Sequence, residues 1–220
     1  MAFTLQPKYQ RHSIVLVGNF NPIIFQPAWF GAEKLIGEKE REEAKIEIIH
    51  SDVAIFSLGW GRIEVMPERF LVNTTQEPYY EVIRDLAMGT FTLLHHTPIT
   101  RMGLNWEIHF QLESEELWHK AGDKLVPKEI WNEVLEKPGM RSLTVNGIRK
   151  DGLKGSYNIK VEPSTSVQYG LYININDHFE TEDPKNTLGS DEMIGILKEK
   201  WSDSHDNSNV VFELLLKGLL

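Results

Sequence analysis

Cysteine is missing from all 220 residues, which excludes disulfides, thiol nucleophiles and cysteine-ligated zinc or iron–sulfur centres. Long apolar runs are missing too. Charge interrupts the best candidates every few positions, well short of the roughly 18 residues a membrane span needs. There is no phosphate-binding loop, dinucleotide fingerprint, H-E-x-x-H pair, nucleophile elbow or kinase signature, so the familiar enzyme classes lose their usual signals. Basic residues are in deficit, Lys+Arg 23 against Asp+Glu 32 for a formal net charge of −9. Neither half of the chain carries the cationic excess with which nucleic-acid binders neutralise phosphate. Lys8, Arg11 and His12 precede a very short apolar stretch with no small-residue cleavage site, so no signal peptide is expected and the expected location is the cytoplasm.

What is present suffices for a sizeable core, with 41% hydrophobic and 10% aromatic residues. SIVLV at 13–17 predicts a buried strand closed by Gly18, and Pro27 opens a short helix over AWFGAEKLI. KIEIIH, VAIFSL, RIEVM and RFLVNT, separated by turn residues, predict a four-strand meander. Tyr80, Ile83, Ala87, Phe91 and Leu94 step by three and four, predicting a helix from Pro78 that stops near Pro98. Met102, Leu104, Trp106, Ile108, Phe110 and Leu112 then give the clearest period-two run in the chain, a long strand with one buried face. Two helices are predicted over 115–136, the second being PKEIWNEVLEK. Strands follow at SLTVNGI, SYNIKVE and LYININDHF, then a helix at SDEMIGILKEKW that the polar SDSHDNSN interrupts. The last segment, VVFELLLKGLL, is apolar nearly all round, so it must bury itself in its own core or against another chain.

These orders, β-α-ββββ-α and β-αα-βββ-α, predict an α+β fold in which an antiparallel sheet carries helices mainly on one face. Residues 1–220 form a single two-lobed domain whose halves, about 11–98 and 99–220, read as a degenerate duplication. Trp29 and Trp118 occupy corresponding places between strand and helix in the two units. The order is similar to that of helix-grip or TATA-binding-protein-like units, a likeness that says nothing about chemistry. VMPERFLVNT, EPYYEVIRDLAMGTF and PITRMGLNWEIHF, within residues 60–112, resemble the centre of a sporadically distributed family of uncharacterised bacterial proteins. The resemblance implies a bacterial or phage source and supplies no activity, cofactor or catalytic residue.

Alternation puts Asn105, Glu107 and His109 on one face of their strand, and Asn174, Asn176 and His178 on one face of theirs. These six are the candidate binding residues. The ordinary reading of such a face is the wet side of an antiparallel sheet. A Glu-x-His on one strand with a distant His would also suit a divalent metal or an acid/base pair, so Glu107, His109 and His178 carry the alternative of an enzyme or metal-dependent ligand binder. Arg149, Lys150 and Lys154, in the basic stretch 141–160, are candidate partner contacts, set against the commoner case of solvated turn charges. His12, His50, His119 and His205 have no evident partner in the sequence. The expectation is a binding or regulatory protein that acts through a macromolecular partner, a protein or a second copy of itself, without catalysis, cofactor or metal. Neither a membrane nor a nucleic acid is expected as partner.

Overall fold

In a computed structural model, which describes residues 6–185 and 187–219, the period-two runs become nine strands. These are β1 (Tyr9–Gly18), β2 (Lys45–His50), β3 (Val53–Leu58), β4 (Gly61–Met66), β5 (Arg69–Thr74), β6 (Ile99–Gln111), β7 (Leu143–Ile148), β8 (Gly155–Pro163) and β9 (Gly170–Glu180). All pair antiparallel in one sheet of order β2-β3-β4-β5-β1-β6-β9-β8-β7. The predicted meander is present, and β1 pairs with β6 at the centre, joining the two halves of the chain. The fold is α+β, as the sequence predicts.

Five helices complete it: α1 (Pro27–Ala32), α2 (Glu38–Glu42), α3 (Tyr80–Leu93), α4 (Glu115–Leu125) and α5 (Asp191–Leu219). Proline stands at the first position of α1, where its missing N–H costs nothing, and Ser114 caps α4 by accepting from Leu117 N. The helices pack against the inner face of the sheet through aromatic contacts. Phe30 of α1 meets Phe56 at 5.7 Å, Phe91 of α3 meets Phe70 at 5.0 Å, and Trp201 of α5 meets Trp106 at 5.1 Å. Inner positions of the central strands, such as Ile14, Leu16, Leu104, Trp106 and Ile175, are fully or almost fully buried.

Two predictions fail for physical reasons. PKEIWNEVLEK forms successive turns (Trp131 N to Lys128 O, Leu135 N to Trp131 O) and no regular helix. Ile130 and Val134 remain 72% and 74% exposed there, so the segment lacks the packing that stabilises short helices. SDSHDNSN, conversely, lies inside the 29-residue α5. Its small residues Ser204 and Ser208 face inward and are satisfied: Trp106 Nε1 donates to Ser204 Oγ (3.0 Å), and Ser208 Oγ donates to Ser204 O (2.8 Å). A polar run thus supplies the hydrogen-bond partners of a buried helix face. Farther along α5, Phe212, Leu216 and Leu219 are buried while Val210 and Leu214 are exposed, so one face of the apolar segment enters the chain's own core. Leu220 lies outside the described residues.

The helices and the sheet meet most tightly at His12. Its ring stacks on Tyr80 of α3 (centroids 3.5 Å), abuts Trp106 edge-on (4.0 Å) and lies 5.9 Å from His205 of α5. Trp201 Nε1 donates to Glu81 at 3.0 Å, fastening α5 to α3 beside it. Burial pushes the His12 imidazole down to about 2 from an ordinary 6.5, and His205 adds to the push. The folded protein therefore keeps His12 neutral while the unfolded chain takes up a proton below about 6.5. This contribution is complete above that pH and is lost as pH falls, by up to about 1.4 kcal/mol per pH unit for one group. Urea unfolding between pH 7.5 and 4.5 should accordingly show a shallower pH dependence in His12→Phe than in the parent protein, the parent losing stability relative to the variant as pH falls. Parallel curves would mean that His12 does not titrate on unfolding.

Candidate functional site

Because paired residues share a face, the strand register defines rows across the outer side of the sheet, which no helix among the described residues covers. One row takes a polar residue from every strand. Over the first half of the chain it runs Lys45, Ser57, Arg62, Asn73 and Ser13. It continues through Asn105, Asn176, Asn158 and Asn146. Eight strand intervals make it about 38 Å long. The four asparagines are hydrogen-bonded in sequence: Asn146 Nδ2 donates to Asn158 Oδ1 (2.6 Å), Asn158 Nδ2 to Asn176 Oδ1 (3.4 Å) and Asn176 Nδ2 to Asn105 Oδ1 (2.8 Å). Gly103 makes room for this ladder, since a Cβ there would lie 2.7 Å from Asn176 Nδ2.

The six residues singled out from the alternation all lie on this outer face, on adjacent strands. Asn105 sits opposite Asn176 and Glu107 opposite Asn174, whereas His109 faces Tyr172 and His178 faces Gly103. Glu107 and His109 are neighbours, but His178 is six residues removed along the pairing, about 20 Å from His109. The register therefore does not bring Glu107, His109 and His178 together. His178 Nε2 instead lies 3.2 Å from Glu180. Among the described residues no group of three or more His, Cys, Asp or Glu could hold a metal ion.

At the far end of β1, β6 and β9 the outer face deepens into a cavity of about 410 Å³ lined by Tyr9, Gln10, Arg11, Glu107, His109 and Tyr172, with Thr75, Glu162, Thr165 and Ser166. Arg11 grips Glu107 through two hydrogen bonds, Nε to Oε1 at 3.1 Å and Nη2 to Oε2 at 2.7 Å, and Tyr172 OH donates to Oε2 at 3.0 Å. Burial first, then the Glu107 charge, raises the Tyr172 phenol and keeps it a donor. Ser164 Oγ accepts from the backbone N–H groups of Ser166 (3.1 Å) and Val167 (3.0 Å), so its own hydrogen goes to His109 Nδ1 at 2.8 Å. The neutral imidazole then carries its hydrogen on Nε2. Burial pushes this imidazole below its ordinary value, with Arg11 assisting and Glu107 opposing.

The expected partner contacts fare differently. Arg149 is a correction: its side chain is 1% exposed and cannot meet a partner. It pairs with the equally buried Asp177 and with Asp151 (2.6 Å), and its guanidinium lies 3.7 Å from the centre of the Phe179 ring. The carboxylates and the ring replace the water that a buried cation loses. Lys154 reaches Glu182 at 2.9 Å, and Lys150 is exposed.

Asn158, Asn146, Ser13, Arg11, Tyr9 and Tyr172 enter the outer face without having been singled out in the sequence. Asn158 alternates with Tyr157 and Ile159 much as Asn176 does with its neighbours, so its phase was visible, but its place beside Asn176 depends on strand order. Comparison with protein-family models and with curated proteins finds no match. Among the described residues no helix is long and apolar enough to cross a membrane.

The ladder can be tested directly. Gly103→Ala should displace the Asn176 amide and lower stability by roughly 1–3 kcal/mol. Urea unfolding would register the loss, and NMR of the side-chain NH₂ groups should show shifts confined to Asn105, Asn158 and Asn176. Unchanged amide signals would show that the ladder does not depend on the missing Cβ.

Proposed function

We propose that this is a binding protein that engages a macromolecular partner, a protein, through the uncovered face of its sheet and performs no chemistry of its own. The polar row that crosses all nine strands carries the reading. At about 38 Å it is far longer than a small molecule needs, and its amides offer donors and acceptors to an extended ligand. Several cations on the face are matched by carboxylates: Arg11 by Glu107, Arg62 by Glu47 and Glu64, and Lys160 by Glu162. This favours recognition by hydrogen bonding and shape over phosphate neutralisation. A bacterial cytoplasmic setting belongs to the same proposal and draws on the resemblance over residues 60–112. The alternative of an enzyme or metal-dependent binder needs Glu107, His109 and His178 around one ligand, and the register speaks against it.

A photo-crosslinking residue placed at Asn158 should capture a discrete protein partner in cells. The same residue at Lys198, on the exposed side of α5, should not, and Asn105→Arg should abolish the Asn158 adduct by obstructing the row. Equal capture from both positions, or capture indifferent to Asn105→Arg, would refute the use of this face.

A further inference from the structure

The cavity at the end of the sheet is chemically distinct from the amide row. Tyr9, His109 and Tyr172 are register partners on three adjacent strands, so three rings stand side by side at its wall. Their centroids are 6.3 Å and 4.9 Å apart, with interplanar angles of 86° and 43°. No two rings are parallel, which leaves no slot for sandwiching a flat heterocycle. They instead line a cupped apolar surface suited to the C–H face of a puckered ring.

The charges around the rings are already spent. Arg11 is held in two-pronged fashion by Glu107, and Lys160 Nζ lies 2.8 Å from Glu162. An anionic group entering the cavity would have to break one of these pairs. Uncharged hydrogen-bonding groups remain available: the hydroxyls of Thr75, Thr165 and Ser166, together with the Nε2–H of His109. The Glu162 carboxylate adds acceptor capacity. The wall is also held in place, because the Glu107 carboxylate clamped by Arg11 fixes the Tyr172 hydroxyl, and the Ser164 turn fixes the His109 ring. Such fixing lowers the ordering cost of binding.

We propose that this cavity binds an uncharged saccharide, one sugar ring packing against Tyr9, His109 and Tyr172 while its hydroxyls bond to Thr165, Glu162 and the imidazole Nε2–H. A volume of about 410 Å³ suits a mono- or disaccharide. The inference goes beyond the protein-partner reading and does not rest on it. His109 lies four residues along β6 from Asn105, so either site can fail without the other.

Saturation-transfer NMR on the full chain, with methyl glycosides of glucose, galactose, mannose and N-acetylglucosamine as probes and adenosine and adenosine monophosphate as comparators, tests it. At least one glycoside should receive saturation at its ring C–H protons. Tyr9→Ala should weaken that glycoside's binding about five- to tenfold, and the remote Trp131→Ala should leave it unchanged. Tyr9 is 59% exposed, so its removal spares the core, and an unchanged amide spectrum away from the cavity would verify this. The proposal is overturned if no glycoside receives saturation, if Tyr9→Ala binds glycoside as the parent does, or if adenosine binds more tightly than every glycoside. Tighter binding of the monophosphate than of adenosine would also overturn it, by revealing an anion site.

Discussion

The antiparallel pairing of β1 with β6 is the contact on which the rest of the molecule depends. It runs from Tyr9 opposite His109 to Gly18 opposite Ile99, joining segments such as Arg11 and Glu107 that lie 96 residues apart. On the inner side it sets His12 beside Trp106, where α3 and α5 converge. On the outer side it sets Ser13 beside Asn105, closing the polar row, and Arg11 beside Glu107, closing the cavity wall. Either half of the chain alone would expose an edge strand with unpaired backbone groups and hold only part of the polar row and of the cavity wall. The loop-closure cost of so long-range a contact is offset by the broad aromatic and aliphatic inner face it completes.

Much of the fold was legible in the sequence, because strands with one buried face announce their phase by alternation and the helices by steps of three and four. The meander, β6, β9 and α3 follow from that alone. The misread segments are those in which local pattern and tertiary environment disagree. Ile130, Trp131, Val134 and Leu135 have helical spacing but stay largely exposed, while Ser204 and Ser208 look like a break and are instead the polar partners of a buried helix face. Neighbourhood was a harder matter than phase. That Asn105 and Asn176 face the same way could be read from each strand. That they touch, and that His109 and His178 do not, is a property of register. Arg149 shows the same gap: its charge suggested a surface role, and only the strand order β7-β8-β9 explains how the residue that follows β7 comes to lie against Asp177 and Phe179.

The two sides of the sheet solve opposite problems. Inside, Arg149 is matched by Asp177 and His12 is held neutral. Outside, several charges are paired locally along and across the strands, as Arg11 is with Glu107 and Lys160 with Glu162. A face built this way offers form and hydrogen bonds over long-range attraction.

The asparagine ladder also has a direction. Each amide donates toward β6, from Asn146 through Asn158 and Asn176 to Asn105, so nitrogen and oxygen alternate along the row in a fixed sense. Reversing Asn158 or Asn176 would set donor against donor on one side and acceptor against acceptor on the other, and reversing an end amide would do so toward its one ladder neighbour, which makes the orientation a collective property of the four. A polymer laid along this row therefore meets a vector. Head-to-tail and tail-to-head placements are inequivalent, and a chain whose own polar groups alternate with direction would be sorted by its polarity as well as by its composition.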